Sequence, residues 1–287
     1  MNILICGASG FVGRHLDRVL SDSGYNVFRG VRNPGKPNDI AIDYCHDLSK
    51  SAWFPKLEGM DVVVNAVGVL RNSGKQPMKL LHEKAPIALF SACREVGIKK
   101  VIQISALGID QNIETTYFQT KRQADITLQE IAGDMKYLII QSSLIYGCDG
   151  TSAKMFRSMA RFPVHFMIGD DQQRLRPVHI DDLVIAIKRW IDDEDAFSQT
   201  LAAVGLDETN FSGMLASYRK QMGLVPAKQF SIPVATMSAI AKIGDLINIS
   251  PLCSETLAML LAGNTADIEN FSQLLGGRPR SFHTFID

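Results

Sequence analysis

The chain has 287 residues, of which 46% are hydrophobic and 21% charged, and its 30 basic and 30 acidic residues cancel. That hydrophobic content excludes disorder, and a core of this size forms without disulfides or a structural metal. The balanced charge gives no field that favours nucleic acid or an anionic membrane, so no nucleic-acid partner is expected.

The first half alternates between two periodicities. Residues 2–6 are a short apolar run, and 10–23 have helical spacing with Val12, Leu16 and Leu20 on one face. Residues 25–31 and, more weakly, 40–44 read as strands. Residues 61–67 (DVVVNAV) are β-branched and apolar, and 77–96 predict one long helix. Strand 100–105, helix 117–131 and strand 137–142 follow. Short apolar strands alternating with helices predict an α/β fold, a Rossmann-type doubly wound parallel sheet covered on both faces. Regularity fades after Gly147. Helices are expected over 182–191, with Asp181 as N-cap, and over 210–223, 234–247 and 252–261. Residues 1–147 are thus expected to form a dinucleotide-binding region. Residues 148–287 are expected to form a small, mostly helical, substrate-covering lobe with elements returning to the sheet, the whole being one integrated unit.

The five cysteines are scattered and form no CxxC, and the histidines form no HxxxH or HExxH. This is the usage of a reducing compartment, without a metal site. The stretch 232–247 is broken by Pro233, Lys242 and Asp245, too short and polar to span a bilayer, and residues 2–6 lack signal-peptide character. A cytoplasmic location is expected.

Gly7-Ala8-Ser9-Gly10-Phe11-Val12-Gly13 lies between the first strand and the first helix. Gly7 permits a tight turn, Gly10 lets the backbone approach a pyrophosphate on the helix N-terminus, and Gly13 allows close helix–sheet packing. A dinucleotide is therefore expected. The second strand ends Phe28-Arg29-Gly30-Val31-Arg32 without the acid that bonds an NAD ribose. Arg32, with Lys36, can pair with a 2′-phosphate, which favours NADP(H) over NAD.

Tyr117 and Lys121 stand at i and i+4 on one predicted helix face. A nearby ammonium favours the phenolate, so the Tyr117 pKa is expected to fall and suit acid–base work on a carbonyl/alcohol pair. Ser105, at the carboxyl end of a strand, offers a hydroxyl to a substrate oxygen.

With these motifs the chain resembles the short-chain dehydrogenase/reductase superfamily in its extended or atypical branch, over residues 1 to about 185. Gly7 to Gly13 matches the branch's glycine motif. Asp47-Leu48 looks like the pair at the adenine, and Asn65-Ala66-Val67-Gly68 like the segment beside the cofactor. Tyr117 and Lys121 match the Tyr-x-x-x-Lys pair. Ser142-Ser143-Leu144-Ile145-Tyr146-Gly147 is similar to the segment at the nicotinamide, and Arg176-Pro177-Val178-His179-Ile180-Asp181-Asp182 to one bordering the substrate. His82-Glu83-Lys84-Ala85-Pro86, Ser105-Ala106-Leu107-Gly108 and the Met259-Leu260 to Asn264 tail are similar to the NADPH-binding accessory subunit of complex I and related bacterial epimerase/dehydratase-like proteins.

The resemblance implies Tyr117, Lys121 and Ser105 as catalytic residues. Tyr117 would exchange the proton, Lys121 would bind the ribose and lower the tyrosine pKa, and Ser105 would orient the carbonyl. It also implies that Asp47, Leu48, Ala66, Val67, Gly68, Ser142 and Leu144 line the cofactor. Two departures stand out: Ala106 replaces the second serine of the usual Ser-Ser, and Gln141-Ser142 replaces the Arg-Pro before Ser143.

The resulting expectation is an NADP(H)-dependent oxidoreductase with a small-molecule substrate. The alternatives are a non-catalytic NADPH-binding assembly or sensor protein, and a sugar-nucleotide epimerase/dehydratase. A homodimer is compatible with the sequence but not indicated by it. His179 reads as structural before substrate-contacting, and Phe162, Phe166, Met155 and Met167 as core before pocket wall. Loop 71–76 reads as mobile near the cofactor.

Overall fold

The computed structural model describes residues 1–72, 77–111, 113–247 and 252–286. Positions 73–76 of the loop expected to be mobile lie outside the described residues. The first half runs β1 (Asn2–Cys6), α1 (Phe11–Asp22), β2 (Asn26–Val31), β3 (Asp39–Ala41), α2 (Lys50–Leu57) and β4 (Val62–Asn65). A π-helical turn (Lys79–Lys84), α3 (Ala85–Val96), β5 (Lys100–Ala106), α4 (Thr116–Ile131) and β6 (Lys136–Ser142) follow. The second half runs β7 (Ile145–Tyr146), α5 (Thr151–Arg161), β8 (Val164–Ile168), β9 (Val178–His179), α6 (Ile180–Asp192) and β10 (Gln199–Ala203). It ends with α7 (Phe211–Gln221), β11 (Lys228–Ile232), α8 (Val234–Asp245), α9 (Ser254–Leu261), α10 (Glu269–Leu275) and a 3₁₀ turn (Phe282–Thr284).

Seven strands form one sheet in the order β10-β6-β5-β4-β1-β2-β3. The fold is the expected Rossmann-type doubly wound α/β sheet. β1 pairs in parallel with β2 on one side and β4 on the other, Ile3 facing both Val27 and Val62. The strand order therefore reverses between β1 and β4, and their carboxyl ends open the crevice in which such sheets bind ligands. Every residue of β4 is buried, as a strand covered on both faces requires.

The chain divides into two compact units. The first holds residues 1–110, 116–141 and 184–201, and its core includes Leu4, Trp53, Val63, Phe90, Val101 and Leu128. The second holds residues 111–115, 142–183 and 202–287, with Tyr146, Phe211, Met214, Tyr218 and Phe285 at its centre. No helix among the described residues is long and apolar enough to cross a membrane.

Three expectations need correction. The helix over 77–96 is interrupted: Pro86 has no N–H to give the carbonyl of His82, and a π-helical turn precedes α3. α6 begins at Ile180, so Asp181 and Asp182 are first-turn acids, favourable at the positive helix end, and Asp181 is not the N-cap. Phe162 and Phe166 are not core residues, being 65% and 53% exposed; Met155 and Met167 are half-buried.

Candidate active site

The glycine turn leaves β1 at Gly7, whose φ of 81° lies in the left-handed region. The N–H groups of Gly7 and Ala8 donate to the Gly30 carbonyl at 3.0 and 3.3 Å. A Cβ on Gly13 would stand 2.2 Å from the Gly7 oxygen, so only glycine brings α1 this close to the turn. Gly10 caps α1 without a side-chain bond, and the first turn carries no acid. Uncapped backbone N–H groups and the positive helix end form a receptor for a pyrophosphate. Ser9 and Gly10 are exposed, and Phe11 and Val12 half-buried. The residues present fit a dinucleotide.

Beyond β2, Arg32 and Lys36 are exposed. The acids that follow are engaged. Asp39 accepts the Gly35 N–H at 2.9 Å, Arg29 Nε at 2.7 Å and the Lys36 N–H at 2.8 Å, and these bonds, the Gly35 one first, push its pKa down to about 2. Asp43 accepts the Cys45 N–H at 2.9 Å and faces His46 Nδ1 at 3.0 Å; the Cys45 bond first, with help from His46 and Arg32, lowers its pKa. Asp47 is buried, accepts the Asp43 N–H at 2.8 Å and pairs with Lys56. Leu48 beside it is 38% exposed.

The Tyr117–Lys121 pair lies on α4, in the first unit. Lys121 is buried, and its Nζ donates to the carbonyls of Ile104 at 2.8 Å and Val67 at 3.3 Å. A Cβ built on Gly68 would stand 3.6 Å from that Nζ. Ala66 donates its N–H to the Cys6 carbonyl at 3.0 Å. The structure thus gathers Ala66, Val67, Gly68 and Lys121 at the carboxyl ends of β4 and β5.

The electrostatics differ from the sequence expectation. Burial pushes the Tyr117 phenol up to about 12, with Asp125 adding to the rise, so its pKa does not fall. The same burial draws the Lys121 ammonium down to about 8, against the pull of Asp125. A desolvated ammonium among carbonyls gives the phenolate less support than the i, i+4 spacing alone suggests.

Side chains that the sequence alone did not place in the site complete it. The His82 ring meets the Tyr117 ring edge-on, centroids 5.3 Å apart. His82 Nε2 accepts the Val69 N–H at 3.0 Å, so its proton is on Nδ1, 3.3 Å from Thr120 Oγ1. Burial, with the Lys121 charge nearby, drives its pKa to about 2, and it is neutral. Asp125, one turn beyond Lys121, accepts Ser105 Oγ at 2.5 Å and Gln103 Nε2 at 3.3 Å. The Ser105 hydroxyl, offered by the sequence to a substrate, is therefore buried and donates to Asp125. Gln103 Oε1 accepts Asn65 Nδ2 at 2.7 Å, and Asn65 Oδ1 accepts the Tyr44 hydroxyl at 2.8 Å. The signal for Asp125 is legible: Tyr117, Lys121 and Asp125 repeat every four residues.

Ser142 and Leu144 belong to the second unit. Ser142 is buried, and the Leu144 N–H donates to Asn264 Oδ1 at 3.0 Å. The neighbouring Ser143 hydroxyl donates to the Arg176 carbonyl at 2.6 Å. His179 Nδ1 accepts the Asp181 N–H at 3.2 Å.

Residues 3–202 match the model of the NAD dependent epimerase/dehydratase family. The chain belongs to this family. It is 26% identical over 186 residues to a ceramide reductase of Caulobacter vibrioides, a match covering 63% of this chain and 57% of that protein. Among solved structures it is similar to UDP-glucuronic acid 4-epimerase from Bacillus cereus, in complex with UDP-glucuronic acid and NAD. That match has a TM-score of 0.72 and 19% identity, covering 100% of this chain and 96% of that one. Human epimerase family protein SDR39U1 (isoform2) with NADPH gives a TM-score of 0.73 and 16% identity, covering 100% and 96%. At these identities the two structures attest the fold. The family is one of NAD(P)-dependent, Rossmann-type proteins.

Proposed function

We propose that the protein is an NADP(H)-dependent oxidoreductase of the short-chain dehydrogenase/reductase type, acting on a carbonyl or alcohol of a small molecule. The observation that carries this reading is the Tyr117–Lys121 pair, with Lys121 Nζ bonded to the Ile104 and Val67 carbonyls at the carboxyl ends of β5 and β4. The glycine turn opens from the neighbouring end of β1.

The backbone from Gly7 to Gly13 would hold the pyrophosphate, and Arg32 with Lys36 a 2′-phosphate. Asp39 and Asp43 are already bonded to Arg29, His46 and backbone N–H groups, which supports a phosphate over a bare ribose hydroxyl. Asp47 and Leu48 would border the adenine, and Ala66 to Gly68 the adjoining ribose and phosphates. When bound, the nucleotide supplies or accepts a hydride.

Tyr117 gives its hydroxyl proton to the substrate oxygen in reduction and takes one back in oxidation. A phenol near pKa 12 stays protonated at neutral pH, so it carries the proton that reduction needs, and the Lys121 charge has to offset its weak acidity as the proton leaves. Lys121 holds the ribose and, while charged, stabilises the phenolate left by that transfer. Ser105 contributes through its bond to Asp125. Neutral His82 packs the tyrosine ring without adding charge beside the ammonium.

The test is NADPH oxidation by the purified protein across a panel of carbonyl compounds, repeated with Tyr117→Phe. Turnover that falls roughly 10²–10⁴-fold in the variant, with nucleotide binding retained, is the expected result. Full activity in Tyr117→Phe would sink the mechanism. Tight NADPH binding without turnover favours an assembly or sensor protein. A retained NAD with interconversion of sugar nucleotides favours epimerase chemistry.

A further inference from the structure

Lys121 is 3% exposed, and its hydrogen bonds go to two backbone carbonyls. Carbonyl dipoles do not neutralise an ammonium, and an unpaired buried charge is costly or loses its proton. Asp125 lies one helical turn away, at the i, i+4 spacing that brings side chains within about 5–6 Å. It is 4% exposed and is held from β5 by Ser105 and Gln103. Gln103 is fixed in turn by Asn65 at the end of β4, and Asn65 by Tyr44. The carboxylate is therefore held in place by Ser105 and Gln103 and cannot turn fully away to Lys121 without breaking those two buried bonds.

We propose that Asp125 is a positioning residue for the Tyr117–Lys121 pair: anchored to β5 by Ser105 and Gln103, its carboxylate keeps the buried Lys121 charged for nucleotide binding. This rests on the nucleotide-dependent reading above and deepens it. With its carboxylate engaged by Ser105 and Gln103, Asp125 acts through Lys121.

The groups around Asp125 set the sign. On its own helix Lys121 lies one turn and Tyr117 two turns before it, both close enough to feel its charge; from β5 come Ser105 and Gln103, and from the segment after β5 the charge of Asp110. His82, on the π-helical turn, is neutral and faces Lys121. Burial raises the Asp125 carboxyl to about 6, although Ser105, Lys121 and Gln103 pull the other way. It is thus ionised at neutral pH, where Lys121, near 8, still holds its proton.

The experiment is calorimetric titration of the full chain with NADPH from about pH 6 to pH 9, for wild type, Asp125→Asn and Asp125→Glu. Wild-type affinity is expected to fall as pH rises through about 8, the Lys121 value. In Asp125→Asn that fall moves about one pH unit lower, so binding is about tenfold weaker at pH 9, and Asp125→Glu restores the wild-type midpoint. A purely structural aspartate would weaken binding without moving the midpoint, so an unmoved midpoint in folded Asp125→Asn overturns the proposal.

A second measurement stands even if the variant does not fold. In wild-type protein labelled at lysine Cε, the Lys121 signal, assigned by its loss in Lys121→Arg, should titrate near 8 and inflect again near 6 as Asp125 ionises. Absence of the inflection near 6 overturns the proposal. Wild type that binds neither NADPH nor NADH at any pH defeats the nucleotide reading, while the lysine signal still decides the Asp125–Lys121 coupling.

Discussion

His82 is held neutral by a bond that protonation would break: Nε2 must keep its lone pair for the Val69 N–H. Its folded pKa of about 2 lies below the ordinary histidine value. Between the two values the unfolded chain binds more protons than the folded one, so stability is present above about pH 6.5 and is lost as pH falls. The slope approaches 1.4 kcal/mol per pH unit for one full proton, as an upper limit. Urea midpoints measured from about pH 7 to pH 5 should decline in wild type and decline less in His82→Gln. Parallel slopes would contradict the neutral assignment. At the glycine turn, Gly13→Ala places a methyl 2.2 Å from the Gly7 oxygen. The expected outcome is a loss of about 1–3 kcal/mol, as in other overpacked sites, together with lost nucleotide binding. A variant with wild-type melting temperature and NADPH affinity would show that α1 does not need this approach.

At the level of elements, the alternation of the first half was legible because its signals are local. β4 is an unbroken β-branched run, and α4 carries its Tyr-Lys spacing in plain view. What escaped was set by tertiary contacts. α2 contains Pro55 and only eight residues, yet it forms because Trp53 is fully buried and its Nε1 donates to the Asp47 carbonyl at 2.9 Å. Trp53 also packs edge-on against Tyr44, the outer member of the chain that reaches Asp125 through Asn65 and Gln103. Trp53→Phe keeps a ring but loses the indole donor and leaves the Asp47 carbonyl short of a partner. A cost of about 1–3 kcal/mol is expected in denaturant unfolding, and an unchanged midpoint would show that the bond adds nothing. In the second half, the two-residue strands β7 and β9 pair Ile145 with Val178 and Tyr146 with His179, a register too short to show as periodicity. Asp125 was missed for a different reason. Its spacing was visible, but its partners Ser105 and Gln103 lie about twenty residues away in sequence, on another element.

For the molecule as a whole, zero formal net charge means that nucleotide choice depends on local charge. Arg32 and Lys36 are the exposed cations after β2, while Asp39 and Asp43 are already bonded. A ligand that binds only the folded chain stabilises it by about 2.7 kcal/mol at a hundred times its Kd. In a chain of this size that corresponds to a rise in melting temperature of roughly 4–5 °C. At equal millimolar concentrations NADPH should therefore raise the melting temperature more than NADH does. The excess should shrink in Arg32→Ala, which leaves the glycine turn intact for both nucleotides. Salt gives an independent check, because an exposed phosphate–guanidinium pair is screened over a Debye length of about 10 Å at 0.1 M and about 3 Å at 1 M. Raising salt across that range should erode the NADPH excess and leave the NADH shift nearly constant. Equal shifts for the two nucleotides in wild type, or an NADPH excess that survives both Arg32→Ala and high salt, would remove Arg32 as the origin of cofactor choice.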